Sequence, residues 1–301
     1  MKNPLDYIES KPKRCLALFG ISYDALNQLV MEATTAHEQI QTQINEQSPC
    51  INAKGGGCPQ KLSVREGIGL TLFYLRQAPL TFEVLGLIFE ISKTTANTTF
   101  HYWQGILRQI LPASVLEQAE RNDENVDETL KELESHSLTV DSFEQERERP
   151  SDHAVQRTYY SGKKKRHTFK TSVIGMPNGE EIIDITVGKR GPEADITLFR
   201  VQQKKFLDHQ LFRGDKAYIG ADNMETPHKK PKHNELSVTQ KEENRIVCGK
   251  RIFIEHLIRR IRIFSIVRGR FPLHPRAYRQ TILTVCGLVR LRLGTLKYSQ
   301  L

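Results

Sequence analysis

The sequence predicts an α/β catalytic domain of βββαβα order, preceded by an all-α domain that carries a helix-turn-helix. Three observations point there. Two apolar, β-prone runs close on an aspartate, Asp141 in LTVDSFE and Asp215 in LFRGDKAY. A third acid, Glu255, lies inside the helical repeat RIFIEHLIRRIR. The charge is also segregated: within the overall +9, residues 1–113 are near neutral, residues 114–150 carry −8 and residues 151–301 carry +16.

The first expected segment, residues 1–60, is a small helical unit followed by a loop. Leu16, Leu18, Phe19, Ile21, Leu26, Leu29 and Val30 supply its apolar face, and Ser22 is a suitable N-cap for YDALNQLV. The stretch SPCINAKGGGCPQ at 48–60 reads as an exposed loop. Residues 61–113 are expected to form the helix-turn-helix. A first helix, KLSVREGIGLTLFYLRQ, is broken by Pro79; Thr81 caps FEVLGLIFE, Ile91 and Ser92 make the turn, and Ser92 starts KTTANTTFHYWQGILRQI. In that third helix Phe100, Trp103, Ile106 and Leu107 recur at core spacing. Lys93, Thr94, Thr95, Asn97 and Thr98 occupy its start, where a recognition helix presents base-reading and phosphate-touching groups. Residues 114–137, rich in Glu and Asp, are expected to be a solvated linker helix.

The catalytic domain is expected over residues 138–301. HSLTVDSFE is its first strand, ending at Asp141; HTFKTSVIGM and EEIIDITVGK make a hairpin across the Asn178–Gly179 turn. ADITLFRVQQKKFL is a helix capped near Asp195, HQLFRGDKAY a fourth strand, and IVCGKRIFIEHLIRRIRIFSIV the last helix after a basic loop. Such an order, with acids on the first and fourth strands and the last helix, is the ribonuclease-H-like arrangement. The first and fourth strands must then be neighbours, joined by a right-handed crossover. On the last helix Ile254, Leu257, Ile258 and Ile261 form an apolar stripe, and Arg251, Glu255, Arg259 and Arg262 a polar one. Taken alone, Glu255 would fit a surface ion-pair ladder with Arg251 and Arg259; together with the other two acids it is read as a metal ligand.

Three carboxylates brought together would make a hard, oxygen-only donor set, which favours Mg²⁺ or Mn²⁺ over zinc. Two such ions can activate water and stabilise a leaving oxygen on phosphate, so the expected chemistry is phosphodiester cleavage. The basic runs Lys163, Lys164, Lys165, Arg166 and Lys229, Lys230, Lys232, with Arg259 and Arg262, suit a polyanion. No run of about 18 apolar residues is present, the start MKNPLDYIESKPKR lacks a signal-peptide core, and the five cysteines show no metal spacing. A reduced, cytosolic, non-membrane protein is therefore expected. The tyrosines, among them Tyr159, Tyr160 and Tyr218, are read as packing or stacking groups.

The blocks VDSFE, YYSGKKKRHTFKTSVI, ITVGKRGPEADITLF, GDKAYIG, KKPKHNELSVTQKEENR and KRIFIEHLIRRIRIF, in this order, resemble the DDE superfamily endonucleases, bacterial insertion-sequence transposases related to the PIF/Harbinger group. The resemblance spans residues 61–299 and implies a catalytic, metal-binding triad of Asp141, Asp215 and Glu255, with Asp195 and Asn244 as further motif positions. It also implies Mg²⁺ or Mn²⁺, two ions per site, no small-molecule cofactor, and a homo-oligomer acting on double-stranded DNA in the bacterial cytoplasm, associated with the nucleoid. The implied reaction is hydrolysis at the ends of a mobile element followed by strand transfer. A non-catalytic DNA-binding regulator and an endonuclease without strand transfer are the alternatives.

Overall fold

The computed structural model describes residues 3–47, 61–122 and 125–296. The loop expected at 48–60, with Cys50 and Cys58, lies outside the described residues. The chain divides into two compact units, one built mainly from Met1–Leu111 and the other from Pro112–Ile263 with Val267–Thr295.

The first unit is helical: α1 (Pro4–Ser10), α2 (Cys15–Phe19), α3 (Tyr23–Gln47), α4 (Val64–Gln77), α5 (Phe82–Ile88) and α6 (Lys93–Ile110). Local sequence explains where these helices begin. Ser22 accepts a hydrogen bond from the Ala25 amide, Ser63 and Glu66 close a capping box on α4, and Thr81 and Ser92 cap α5 and α6. The aromatic core follows from the spacing. Tyr74 stacks on Phe82 at 4.9 Å and meets Phe100 edge-on at 4.7 Å. Phe100, Trp103, Ile106 and Leu107 are all buried, as their periodicity predicts. Gly86 permits the tight α5–α6 turn, because a Cβ there would stand 2.6 Å from the Ile91 carbonyl oxygen.

The second unit contains α7 (Val115–Arg121), α8 (Val126–Glu134), β1 (Leu138–Glu146), α9 (His153–Tyr159), β2 (Tyr160–Ser161), β3 (Arg166–Gly175), β4 (Ile182–Arg190), α10 (Asp195–Gln203), β5 (Phe212–Arg213), β6 (Met224–Glu225), α11 (Val238–Ile261) and α12 (Tyr278–Leu293). The sheet runs β4-β3-β1-β5-β6, with β2 paired to β3. β1 pairs antiparallel to β3 and parallel to β5, so the strands carrying Asp141 and leading to Asp215 are neighbours.

Several expectations need correction. The acidic stretch 114–137 is not a solvated linker: it forms two helices, and Leu116, Leu130 and Leu133 join Leu138, Val140, Ile174 and Phe212 in one apolar cluster. Asp127, Glu128 and Glu132 are exposed while its leucines are buried, an amphipathic pattern that net charge conceals. β1 does not end at Asp141 but continues to Glu146, because β3 pairs with it from Thr139 to Glu146. The fourth strand shrinks to Phe212–Arg213, with Asp215 just beyond it. Asp195 does not cap α10; it is the first helical residue, after Ala194. Helix α11 starts at Val238, where Ser237 and Gln240 form a capping box, so part of the expected basic loop is helix.

Helix α9, strands β2 and β6, and above all α12 were not expected. Helix α12 is apolar nearly all round and its residues Thr281–Leu291 are buried, which removes the periodicity that marks a surface helix. Its Arg290 is 1% exposed and is fully engaged, bonding Glu181, Gln118 and the carbonyls of Pro112 and Ser114. Among the described residues no helix is long and apolar enough to cross a membrane.

Candidate active site

Strand β1 delivers Asp141 beside the open edge left where its pairing with β5 stops at Thr139. Asp215 follows β5 and caps a short helical turn, accepting the Ala217 amide at 2.7 Å. Glu255 projects from α11, whose Ile254, Leu257, Ile258 and Ile261 are buried as the stripe predicts. Asp141, Ser142, Phe143, Glu255, Ile258, Arg259 and Arg262 line a cleft of about 300 Å³. Arg262 lies 5.3 Å from the centre of the Phe143 ring.

Asp141 senses the charges of the other two acids. Burial is the main cause that pushes the Asp141 carboxyl from 3.8 up to about 6; the charges of Asp215 and Glu255 push the same way, while the Ser142 amide and Arg251 oppose them. The three acids do not converge into a closed ligand set: among the described residues no three His, Cys, Asp or Glu side chains form a group that could hold a metal ion. Like charges repel, and Arg251 holds Glu255 at 3.7 Å, the ion pair that a surface ladder would contain. The donor chemistry nonetheless fits Mg²⁺ or Mn²⁺, because Asp141, Asp215 and Glu255 offer only hard oxygens, and a cation would relieve the repulsion that adds to the rise at Asp141.

Beside Asp141 lies a network that the sequence did not disclose. Ser142 donates to Asp195 at 2.5 Å, and Lys170, 6% exposed, sits 3.1 Å from the same carboxylate and donates to the Glu193 carbonyl. Asp195 thus has a structural task, fixing the residue next to Asp141. Cross-strand register makes this contact, since Ser142 pairs with Ser172 and Lys170 with Glu144 on adjacent strands. Tyr218 packs in the apolar cluster with Val140 and Phe212, as expected for a packing residue, yet its buried hydroxyl has no hydrogen-bond partner among the described residues. Burial, then Asp195, Asp141 and Asp215, raise its pKa well above the usual value. Asn244 clasps the backbone of His228, accepting from its amide at 2.6 Å and donating to its carbonyl at 3.1 Å, and so anchors the loop that carries Lys229, Lys230 and Lys232.

The basic residues expected to meet DNA are placed unevenly. Lys163, Lys164, Lys165 and Arg166 are exposed around the turn before β3, with Arg166 paired to Glu146. Lys229, Lys230 and Lys232 are exposed, Lys230 paired to Glu235. Arg259 and Arg262 are exposed and share the acid-lined cleft. In the first unit Lys93, Thr94 and Thr98 are exposed while Thr95 and Asn97 are half-buried. The Thr98 hydroxyl bonds back to the Thr94 and Thr95 carbonyls, and Thr95 shares its hydroxyl with Ser92, so that among the described residues Lys93, Thr94 and Asn97 are the side chains of this start with no hydrogen-bond partner.

Sequence comparison agrees with the geometry. The family model of the DDE superfamily endonucleases matches residues 140–290, and that of the helix-turn-helix of DDE superfamily endonucleases matches residues 60–113. The chain belongs to the DDE superfamily endonucleases. It is 30% identical over 223 residues, 72% of this chain and 76% of the relative, to a Microchaete diplosiphon protein described as "probable transposase for insertion sequence element IS702". Solved structures of a pre-cleavage Mos1 transpososome and of a Mos1 transposase paired-end complex are each 12% identical and cover 76% and 78% of this chain and 85% and 87% of their own. Their TM-scores of 0.19 and 0.20 are too low to carry a conclusion about fold.

Proposed function

We propose that this protein is a DDE transposase with a ribonuclease-H-like catalytic unit, which binds the ends of a mobile DNA element, hydrolyses a phosphodiester there and joins the freed 3′-hydroxyl to target DNA. The observation that carries this reading is the cleft in which half-buried Asp141 and exposed Glu255 face Arg259 and Arg262, within electrostatic range of Asp215. Acids alone would repel a phosphate, and arginines alone would bind it without reaction.

Asp141, Asp215 and Glu255 would hold Mg²⁺ or Mn²⁺, which supplies an activated water and charge stabilisation on phosphate. Arg259 and Arg262 would hold the flanking phosphates and set their orientation, and Phe143 beneath Arg262 limits that guanidinium's freedom. Ser142 and Asp195 keep the Asp141 backbone in register. Helix α6 would read the element's end through Asn97 and Thr94, and the lysines at 163–165 and 229–232 would add sequence-independent affinity. Action as a homo-oligomer on DNA belongs to the same proposal.

The test is a two-stage assay in Mg²⁺. A labelled duplex carrying an element end should be nicked at the end and should then appear covalently joined to an unlabelled plasmid. Nicking without joining would reduce the protein to an endonuclease, and binding without nicking would make it a regulator.

A further inference from the structure

A second cleft, of about 230 Å³, lies at the far end of the strand that bears Asp141. Arg147, Arg149, Lys165, Arg166 and Arg270 line it together with one carboxylate, Glu146. The charges are only partly compensated. Arg166 pairs with Glu146, and Arg270 with Glu148 at 3.2 Å, whereas among the described residues Arg149 has no carboxylate partner and donates to the neutral Gln156 amide oxygen at 2.9 Å. Lys165 has no carboxylate partner among the described residues. Arg147 is held rather than mobile: its guanidinium lies 4.2 Å from the centre of the Tyr159 ring and 4.6 Å from that of Phe169. A basic pocket of this kind, with one guanidinium held in place, suits phosphate oxygens, which arginine meets in a planar, two-point fashion.

Its position names the source of the phosphates. Beyond Thr139 the edge of β1 is free of β5, and at Glu146 it is taken up by the segment at Arg270, where the Phe271 amide donates to the Glu146 carbonyl at 2.8 Å. Asp141 and Glu146 therefore mark two heights along one strand, five residues or roughly 17 Å apart; their side chains leave opposite faces, and it is Arg147 of the cleft that continues the face of Asp141. That separation corresponds to about five base pairs of duplex DNA. We propose that this cleft binds the phosphate backbone of the same duplex that is cut at Asp141, about five base pairs from the scissile phosphate. The inference rests on the DNA-cleaving reading given above and adds to it a fixed subsite.

The test uses the full chain, Mg²⁺-free binding titrations over a range of salt, and duplexes with about ten base pairs on each side of the cut or about three on one side or the other. The double variant Arg149→Gln/Arg270→Gln should bind the full duplex about tenfold more weakly and lower its salt slope by about two. On the duplex truncated on the cleft side, variant and wild type should bind alike. The charge-keeping Arg149→Lys/Arg270→Lys should restore the slope, and unchanged thermal melting shows that each variant is folded. Equal loss on every duplex, or none on any, overturns the subsite. A loss seen only in capture of a second, unbroken duplex assigns the cleft to target DNA and overturns it as well. Wild-type protein that neither binds nor nicks the full duplex in Mg²⁺ defeats the cleavage reading itself, whereas nicking by wild type with no difference in the variant defeats the subsite alone.

Discussion

Helices α6 and α11 are built alike and present opposite chemistry. Each starts at a serine N-cap and buries an apolar stripe. The exposed start of α6 offers neutral hydrogen-bonding groups, Thr94 and Asn97, with a single cation, Lys93. The outer face of α11 and its C-cap offer Glu255, Arg259 and Arg262, with the largely buried Arg251 paired to Glu255 from below. Neutral donors and acceptors suit base edges, where geometry discriminates; dense charge suits phosphate, where it does not. The contrast teaches that amphipathic periodicity sets where a helix packs, and that the residues left outside decide what it meets.

The largest expected effect lies on the acidic side of this contrast. Asp215→Asn should abolish Mg²⁺-dependent nicking of an end-bearing duplex while leaving gel-shift affinity near that of wild type, because it removes a hard oxygen charge and no packing. Retained nicking in that variant would remove Asp215 from the chemistry and break the comparison at its acidic end.

On the neutral side, core and reader should separate. Trp103 is 7% exposed and fills the space over Gly67, so Trp103→Ala should cost about 3–5 kcal/mol, seen in chemical denaturation of the helical unit. Asn97→Ala should keep that stability and lose on the order of 1–3 kcal/mol of preference for element ends over random duplex, measured by competition binding. If Asn97→Ala keeps full end preference, the reading passes to Thr94 or lies outside α6.

A smaller effect should come from Asp141 in protein free of divalent cations. Its carboxyl is pushed up to about 6 in the folded chain, so the folded state holds the proton more tightly than the unfolded one. The stability it contributes is present below pH 3.8 and is lost as pH rises through about 6. Asp141→Asn, which keeps an acceptor for the Ser142 amide, should therefore raise thermal stability at pH 7.5 by on the order of 2 kcal/mol and leave it little changed near pH 4. A melting curve that is insensitive to this substitution at both pH values would show a well-solvated carboxylate.

The smallest effect sharpens the phosphate half of the comparison. Replacing Lys163, Lys164 and Lys165 together by Gln should weaken binding of all duplexes alike and reduce the slope of log affinity against log salt by about 0.9 for each phosphate that is no longer neutralised. An unchanged slope would mark the turn as a solvated surface.

Much of the architecture was legible in the chain. The caps Ser22, Thr81 and Ser92, the hairpin at Asn178–Gly179 and the stripe Ile254–Leu257–Ile258–Ile261 are local signals, and each holds because it acts within a few residues. That the strand bearing Asp141 and the strand leading to Asp215 are neighbours also agrees with the order of elements. Other features were not legible for the opposite reason. Helix α12 has no polar face to betray its period, and the acidic helices α7 and α8 hide three core leucines behind carboxylates. The tasks of Ser142, Lys170 and Asp195 depend on partners 25 to 53 residues away in sequence that only strand register and the placement of α10 bring together. The second basic cleft likewise gathers Arg147, Arg149, Lys165 and Arg270 from three separate segments. By itself the sequence determined α4 to α6, the meander and the apolar stripe of α11, and it singled out three acids as candidates, because propensity, capping and hydrophobic period are short-range. Tertiary structure decided how closely those acids approach, which arginine restrains Glu255 and how far the Asp141 carboxyl is desolvated, because charge and burial depend on every group that the fold brings near.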